Sequence, residues 1–462
     1  MRLHPRTLFA LLAFLPVLVQ AQTTADLDSR VSAKAEAALK QSGVPSVSVA
    51  VVRDGKLIFA KAFGSASLDP HRAADAQTRY AVGSVSKEFT ASALLMLQQQ
   101  GRLSLDDKVS KFFPDLTRAD EVSIRQLLTH TAGYEDYAPQ DYIIPAWTKP
   151  TTAQAILDNW AKKQLNFDPG TRWQYSNTNY VLAGEIFEKV SGTPLVTFLK
   201  QTFFDPLGMA SAGDCSAANP NDAQAYTRYG LGPARAVARE APGWYFAAGE
   251  LCMTPSDLAK WDIALLEKRF LSPDSYAQFT REMRLANGDL THYALGLQLG
   301  ELNDIPTVSH GGEVSGFLAS NTLFPTRDGA VILLSNQDGI SLIGPLSRQI
   351  ATILFVAESS APSAKDAQKA KAILAGLQKG KIDRSLLTDN ANSYFTTTAL
   401  ADLKSSLGKL GSLKSVKPGR EGLRGGMTYR TYYAEFAKQT VILSTYVMPD
   451  GKIEQYLVLE QL

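Results

Sequence analysis

The sequence predicts an α+β fold. An antiparallel sheet is built from both ends of a long first domain, a helical subdomain packs on it as the second layer of an α/β sandwich, and a small α+β C-terminal domain follows. Three observations carry this. Alternating β-branched runs occur near the start, in VPSVSVAVVRDGKLIFAKAFGSAS, and again over residues 292–337. Between them the pattern is mostly helical and broken by Pro and Gly. Past residues 357–367, AESSAPSAKDA, a small polar stretch that reads as a linker, a second helix-then-strand pattern begins.

The elements follow in order. MRLHPRTLFALLAFLPVLVQAQ starts basic, runs apolar from Leu8 to Val19, and then presents Val19-Gln20-Ala21. This is the pattern of a secretory signal over residues 1–21, cleaved after Ala21. Its apolar run falls short of the roughly 20 residues a spanning helix needs. The mature chain is therefore expected to be periplasmic or secreted, without a membrane span. Residues 25–41 read as an amphipathic helix, and Asp54-Gly55 as a hairpin turn. A helix starts near Ser84 and stops at Gly101; another covers 254–268, with Thr254 or Ser256 as its cap. Strands are expected over 292–302, 306–311 and 319–337, the last turning at Asp328-Gly329, and a helix over 344–356 closes the first domain, 22–356. In the second domain, 368–462, helices at 368–379 and 398–410 precede three strands near 426–436, 440–448 and 453–459. At the level of pattern alone, this order resembles NTF2-like or cystatin-like cone folds.

Charge narrows the partners. Arg2 and Arg6 are the only ionised residues of the first 21, so the remainder carries 45 basic and 45 acidic residues. A neutral chain gives no support to nucleic-acid binding. Charge goes no further; it is the short motifs below that point to a small-molecule or peptide substrate. The two cysteines, Cys215 and Cys252, could pair in an exported chain or stand as separate buried thiols.

Three short stretches could carry chemistry. Ser84 and Lys87 are three apart at a helix start, on one face and within mutual reach. Unpaired N–H groups there favour negative charge, and burial would lower the lysine pKa until it could take the serine's proton. The plain alternative is a capping serine beside a lysine reaching for solvent. In Tyr175-Ser176-Asn177 a phenol could relay a proton and a carboxamide could orient a substrate amide or ester. Alternatively Ser176, Asn177 or Asn179 caps the following helix. His310-Gly311-Gly312 closes a strand where glycine permits close approach of a substrate backbone, or it is a turn with an exposed histidine.

The order S-x-x-K, Y-x-N, H-x-G resembles the serine β-lactamase and penicillin-binding-protein superfamily. GSVSKEFTA, LDDKVSKFFP, IRQLLTHTAGY, FDPGTRWQYSNTNYVLAGEIFEKVSG, DPLGM and DLAKW are similar to its class-C-like branch, which holds class C β-lactamases, D,D-carboxypeptidases, D-aminopeptidases and esterases. The resemblance covers about residues 30–356. It implies an acyl-enzyme on Ser84, with Lys87 and Tyr175 sharing the base and acid work and Asn177, His310 and Gly312 binding substrate. It also implies an oxyanion hole from the backbone N–H groups of Ser84 and Glu313.

Departures from the family pattern matter too. His310 stands where many relatives carry lysine, and Gly311 replaces a threonine. A histidine is only partly charged near neutral pH, so carboxylate recognition should be weaker. That favours an esterase or D-amino-acid or D,D-peptidase over a true β-lactamase; a sensor that acylates on penicillin or cell-wall peptide and stalls is the alternative of another class. The Glu313 side chain is expected to point away from the site. Glu250 stands in FAAGELCMTP, where relatives often read A-G-G-L, and no physical reason for it is visible. No G-x-S-x-G elbow, P-loop or H-E-x-x-H occurs, and the five histidines are scattered, so no cofactor or metal is expected. His130, in LLTHTAG, is expected to support packing around the cleft.

Overall fold

Two strands, β1 (Ser46–Arg53) and β2 (Lys56–Leu68), are joined by Asp54-Gly55 with φ of 52° and 67°, the two-residue turn whose twist suits a hairpin. The structure, a computed structural model, describes residues 16–140, 142–230, 232–302, 304–340, 342–355, 364–424 and 426–460. It divides into two compact units at residues 355 and 356. The expected signal, 1–21, lies outside the described residues as far as 15; the backbone from Pro16 to Ser42 forms one helix, α1.

In the first unit a short strand, β3 (His71–Ala73), edges β2. Four later strands complete the sheet: β4 (Gln298–Leu302), β5 (Ile305–Val314), β6 (Phe317–Phe324) and β7 (Gly329–Ser335). The order is β3-β2-β1-β7-β6-β5-β4, antiparallel throughout. Strands from the two ends meet at β1 and β7, in register from Val47 opposite Ser335 to Val52 opposite Ala330. β7 is buried along its whole length, and β1 up to Arg53. Ala50, Val52, Ala330, Ile332 and Leu334 join one large core. That core includes Leu258, Trp261 and Leu265 of a helix, α4 (Pro255–Leu266), which Thr254 caps by accepting the Asp257 N–H. α1 and the closing helix, α5 (Ile343–Phe355), pack on each other and along the same sheet.

Two helices in the core position the site. α2 (Ser86–Gln99) is buried at every residue from Ser86 to Leu95, so it is a central rather than a surface helix. α3 (Asn177–Ser191) packs on it and ends at Gly192 with φ 68°, a left-handed cap. Over residues 104–240 the expected broken helical pattern takes the form of α3 flanked by short helices such as Ile124–Leu128 and Ala153–Ile156. The strand expected from 292 starts only at Gln298. Just before it the chain turns at Gly296, where an added Cβ would lie 2.9 Å from the Lys87 carbonyl oxygen.

The second unit starts with α6 (Ala364–Leu377), so the end of the stretch expected as linker is helical. Ala367, Ala370, Ile373, Leu374 and Leu377 form its buried face, at the spacing one helical side requires. Two more helices, α7 (Asp389–Tyr394) and α8 (Thr397–Gly408), precede a four-stranded antiparallel sheet. Its strands run in chain order: β8 (Leu413–Arg424), β9 (Met427–Phe436), β10 (Thr440–Val447) and β11 (Ile453–Glu460). Three strands were expected. β8 was hidden because Pro418, Gly419 and Gly422 interrupt its pattern; the pairing register shifts there, and it is an edge strand, where Pro is tolerated.

Candidate active site

Ser84 lies in a single tight turn, Gly83–Val85, that feeds into α2. Gly83 has φ 51°, and an added Cβ would meet the Glu313 nitrogen at 3.0 Å. On the facing strand β5, a Cβ on Gly312 would lie 2.0 Å from the Val82 carbonyl oxygen. Glycine at both positions lets the strand run directly against the nucleophile turn. The backbones of Ser84 and Glu313 thereby share one wall of a cleft of about 920 Å³. The turn is braced from behind. Ala81 pairs with Cys252 in a small sheet, Cys252 pairs with Gly213, and Cys252 is disulfide-bonded to Cys215.

Lys87 is fully buried. Its Nζ lies 2.9 Å from Ser84 Oγ, 2.8 Å from Asn177 Oδ1 and 2.7 Å from the Ala248 carbonyl oxygen. Burial lowers its pKa to about 7, while Asp136 pulls it back up. Two of those three neighbours can only accept. A neutral amine gives its two hydrogens to Asn177 and Ala248 and turns its lone pair to the Ser84 hydroxyl. The surroundings thus suit an amine that receives the serine's proton.

Tyr175 lines the same cleft as Ser84, and burial raises its pKa, so it stands as a neutral phenol. His130 holds this segment. Its carbonyl accepts the Gln174 N–H at 3.0 Å, its Nδ1 accepts the Ser176 N–H at 3.2 Å, and its ring stacks on Tyr175 at 4.2 Å. The expected packing role is thus a specific one: His130 grips the residues on either side of Tyr175.

Sequence reasoning missed Asp136. It accepts the Asn177 N–H at 2.9 Å and the Asn177 Nδ2 at 3.3 Å. This sets the carboxamide with its oxygen toward Lys87. It also places a carboxylate at the N-terminus of α3, where Ser176 makes no side-chain cap. Nothing in YEDYAP marks this aspartate, because its partner is 41 residues away.

His310 lines the cleft but is buried, against the alternative of an exposed turn histidine. Its Nε2 lies 2.8 Å from the Tyr293 hydroxyl and its Nδ1 2.6 Å from the Gly311 carbonyl oxygen. The carbonyl takes the ring's one proton, and the phenol donates to the other nitrogen. Burial, with Lys87 nearby, pushes its pKa down to about 3, so it is neutral rather than partly charged. Glu313 Oε1 reaches toward the Gly339 N–H at 3.5 Å. Burial, with Asp214 and Glu188 nearby, raises Glu250 to about 8, and its carbonyl accepts the Cys215 N–H at 2.8 Å. Among the described residues, no helix is long and apolar enough to cross a membrane, and no group of three His, Cys, Asp or Glu is placed to hold a metal ion.

Residues 31–344 match a family model described as Beta-lactamase. A penicillin-binding protein of Bacillus subtilis (strain 168) is 27% identical over 381 residues, 76% of this chain and 81% of its own. Among solved structures, a D-stereospecific amidohydrolase from Streptomyces sp. is 26% identical with a TM-score of 0.59, covering 73% of this chain and 99% of that one. An octameric penicillin-binding protein homologue from Pyrococcus abyssi shares the fold over 94% of this chain and 99% of its own, at 21% identity and a TM-score of 0.63.

Proposed function

This chain belongs to the β-lactamase family of serine hydrolases, and from that premise we propose that it is an exported enzyme cleaving an ester or amide through an acyl-enzyme on Ser84. The observation that carries this is the buried Lys87 amine, 2.9 Å from the serine hydroxyl with its other two neighbours limited to accepting. Ser84 Oγ attacks the substrate carbonyl carbon as its proton passes to Lys87 Nζ. The oxyanion is held by the N–H groups of Ser84 and Glu313. The C–O or C–N bond then breaks, and the leaving group takes a proton relayed by Tyr175. Water attacks the acyl-enzyme, gives its proton back along the same path, and releases the acid with Ser84 restored. Asn177 orients the substrate, and Asp136 orients Asn177.

Two observations favour an esterase or D-amino-acid amidase or peptidase over a β-lactamase. His310 is neutral and gives no cation for a substrate carboxylate, and the Streptomyces neighbour is a D-stereospecific amidohydrolase. The test compares wild type and Ser84→Ala on nitrophenyl esters, D-amino-acid amides, D-Ala-D-Ala peptides and nitrocefin. Turnover should fall by about 10³-fold or more on the best substrate; equal rates in the two proteins would sink the assignment. A long-lived adduct on Ser84 after penicillin exposure, seen by mass spectrometry, would favour the stalled sensor instead.

A further inference from the structure

The charge of the cleft bears on what it accepts. Three acidic residues are among those lining it, Asp136, whose pKa burial pushes up, Glu240, and Glu313, whose side chain reaches toward Gly339; among the described residues no lysine or arginine lines it. Lys87 lies behind Ser84, and His310 is neutral.

Glu240 is held in one orientation. Its Oε1 accepts from the Tyr245 hydroxyl, the Ser315 hydroxyl and, at 3.2 Å, the Ser315 N–H. Donors converging on one oxygen stop the group from swinging. Among the described residues, no hydrogen bond reaches Oε2 and no ion pair closes on Glu240. The adjacent Arg239 attracts Glu240 at longer range but spends its contacts elsewhere, donating to the Cys215 carbonyl and lying over the Phe317 ring. Aromatic faces share the lining, Tyr142 and Trp173 among them, and such faces attract cations.

We propose that the substrate of this cleft carries a positive charge, an ammonium group, and that Glu240 is the residue that selects for it. The proposal rests on the serine-hydrolase reading above and narrows its substrate class. A cleft lined by carboxylates attracts a cation and repels an anion, and low-dielectric walls strengthen both effects. A permanently anionic substrate therefore stands at the unfavourable end.

The test uses three nitrophenyl esters of similar length: 4-(trimethylammonio)butanoate, butanoate and hemisuccinate, cationic, neutral and anionic. In the wild-type protein at low salt, kcat/KM should fall by about tenfold or more at each step, and high salt should compress the series. Glu240→Gln keeps the size and the accepting oxygen. It should lower the ratio of cationic to neutral kcat/KM by about fivefold or more. Turnover that depends on Ser84 but shows no charge order, or an unchanged ratio in a folded Glu240→Gln protein, overturns the selectivity alone. Absence of any Ser84-dependent turnover overturns both it and the reading beneath it.

Discussion

Lys87 and Glu88 are sequence neighbours in the first turn of α2, and neither touches solvent. Lys87 faces the cleft, with Ser84, Asn177 and the Ala248 carbonyl around it. Glu88 faces the core. Trp261 Nε1 donates to it at 3.2 Å, and Asn321 Nδ2 lies 3.3 Å from it and 2.9 Å from Asp262 Oδ1. Burial drives each group toward its uncharged form: the lysine down to about 7, Glu88 well above 4.5, and Asp262 up to about 8. The physics is shared and the consequence is not. The neutral amine has a reactive hydroxyl in front of it and a cleft beyond. The protonated acids have only Asn321 between them, so they join the sheet to two helices and do no chemistry. A perturbed pKa marks a function only where a reacting partner is within reach.

The comparison breaks most visibly at Lys87. Replacing it with methionine should lower kcat by about 10³-fold or more, since the serine then has no base; steady-state turnover of the best ester measures this. A rate within tenfold of wild type would remove Lys87 from the mechanism. The pH profile comes next. kcat/KM should rise about tenfold per pH unit up to about pH 7 and level off above it, as Lys87 loses its proton. A profile flat across that range would show that no such base titrates.

The core side is sharpened by stability rather than rate. Asp262 is raised from 3.8 to about 8, so the stability it contributes is fully present below pH 3.8 and lost as pH rises toward 8. Lys87 runs the other way: lowered from 10.5 to about 7, its contribution is present above pH 10.5 and lost as pH falls toward 7. Glu88→Gln should flatten the alkaline loss in urea unfolding followed from pH 4 to 8, with turnover within about twofold of wild type. An unchanged slope would mean that Glu88 holds no proton. The smallest effect belongs to Asp136. Its charge raises the Lys87 pKa, so Asp136→Asn should move the acid limb of the rate profile to lower pH, by about one unit or less. A shift upward would reverse the assigned sign.

Much of this is legible in the sequence. Asp54-Gly55 announced its hairpin, Thr254 or Ser256 a cap, of which the fold uses Thr254, and Ser84 with Lys87 their contact, because each depends on residues no more than a few apart. Tyr175, Asn177 and His310 were found by resemblance to a family pattern, and the fold brings all three to one cleft. Asp136, Tyr293, Glu240 and the Ala248 carbonyl were not legible. Their partners lie from 5 to 161 residues away, and no local periodicity points at them. The strand β8 escaped for a related reason: an edge strand tolerates the Pro and Gly that sequence reads as a break.

The sequence by itself determined which chemical groups are present and which of them must be neighbours, since one helical turn places Lys87 beside Ser84 whatever surrounds them. It also predicted that strands from the two ends would share a sheet. Only the tertiary structure decided the state of those groups. Ionisation depends on how completely water is excluded and on charges brought in from elsewhere, and both are set by packing between distant segments. That packing leaves Lys87 a base, makes His310 a neutral ring instead of a cation, and brings acidic residues from distant segments into the lining of one cleft.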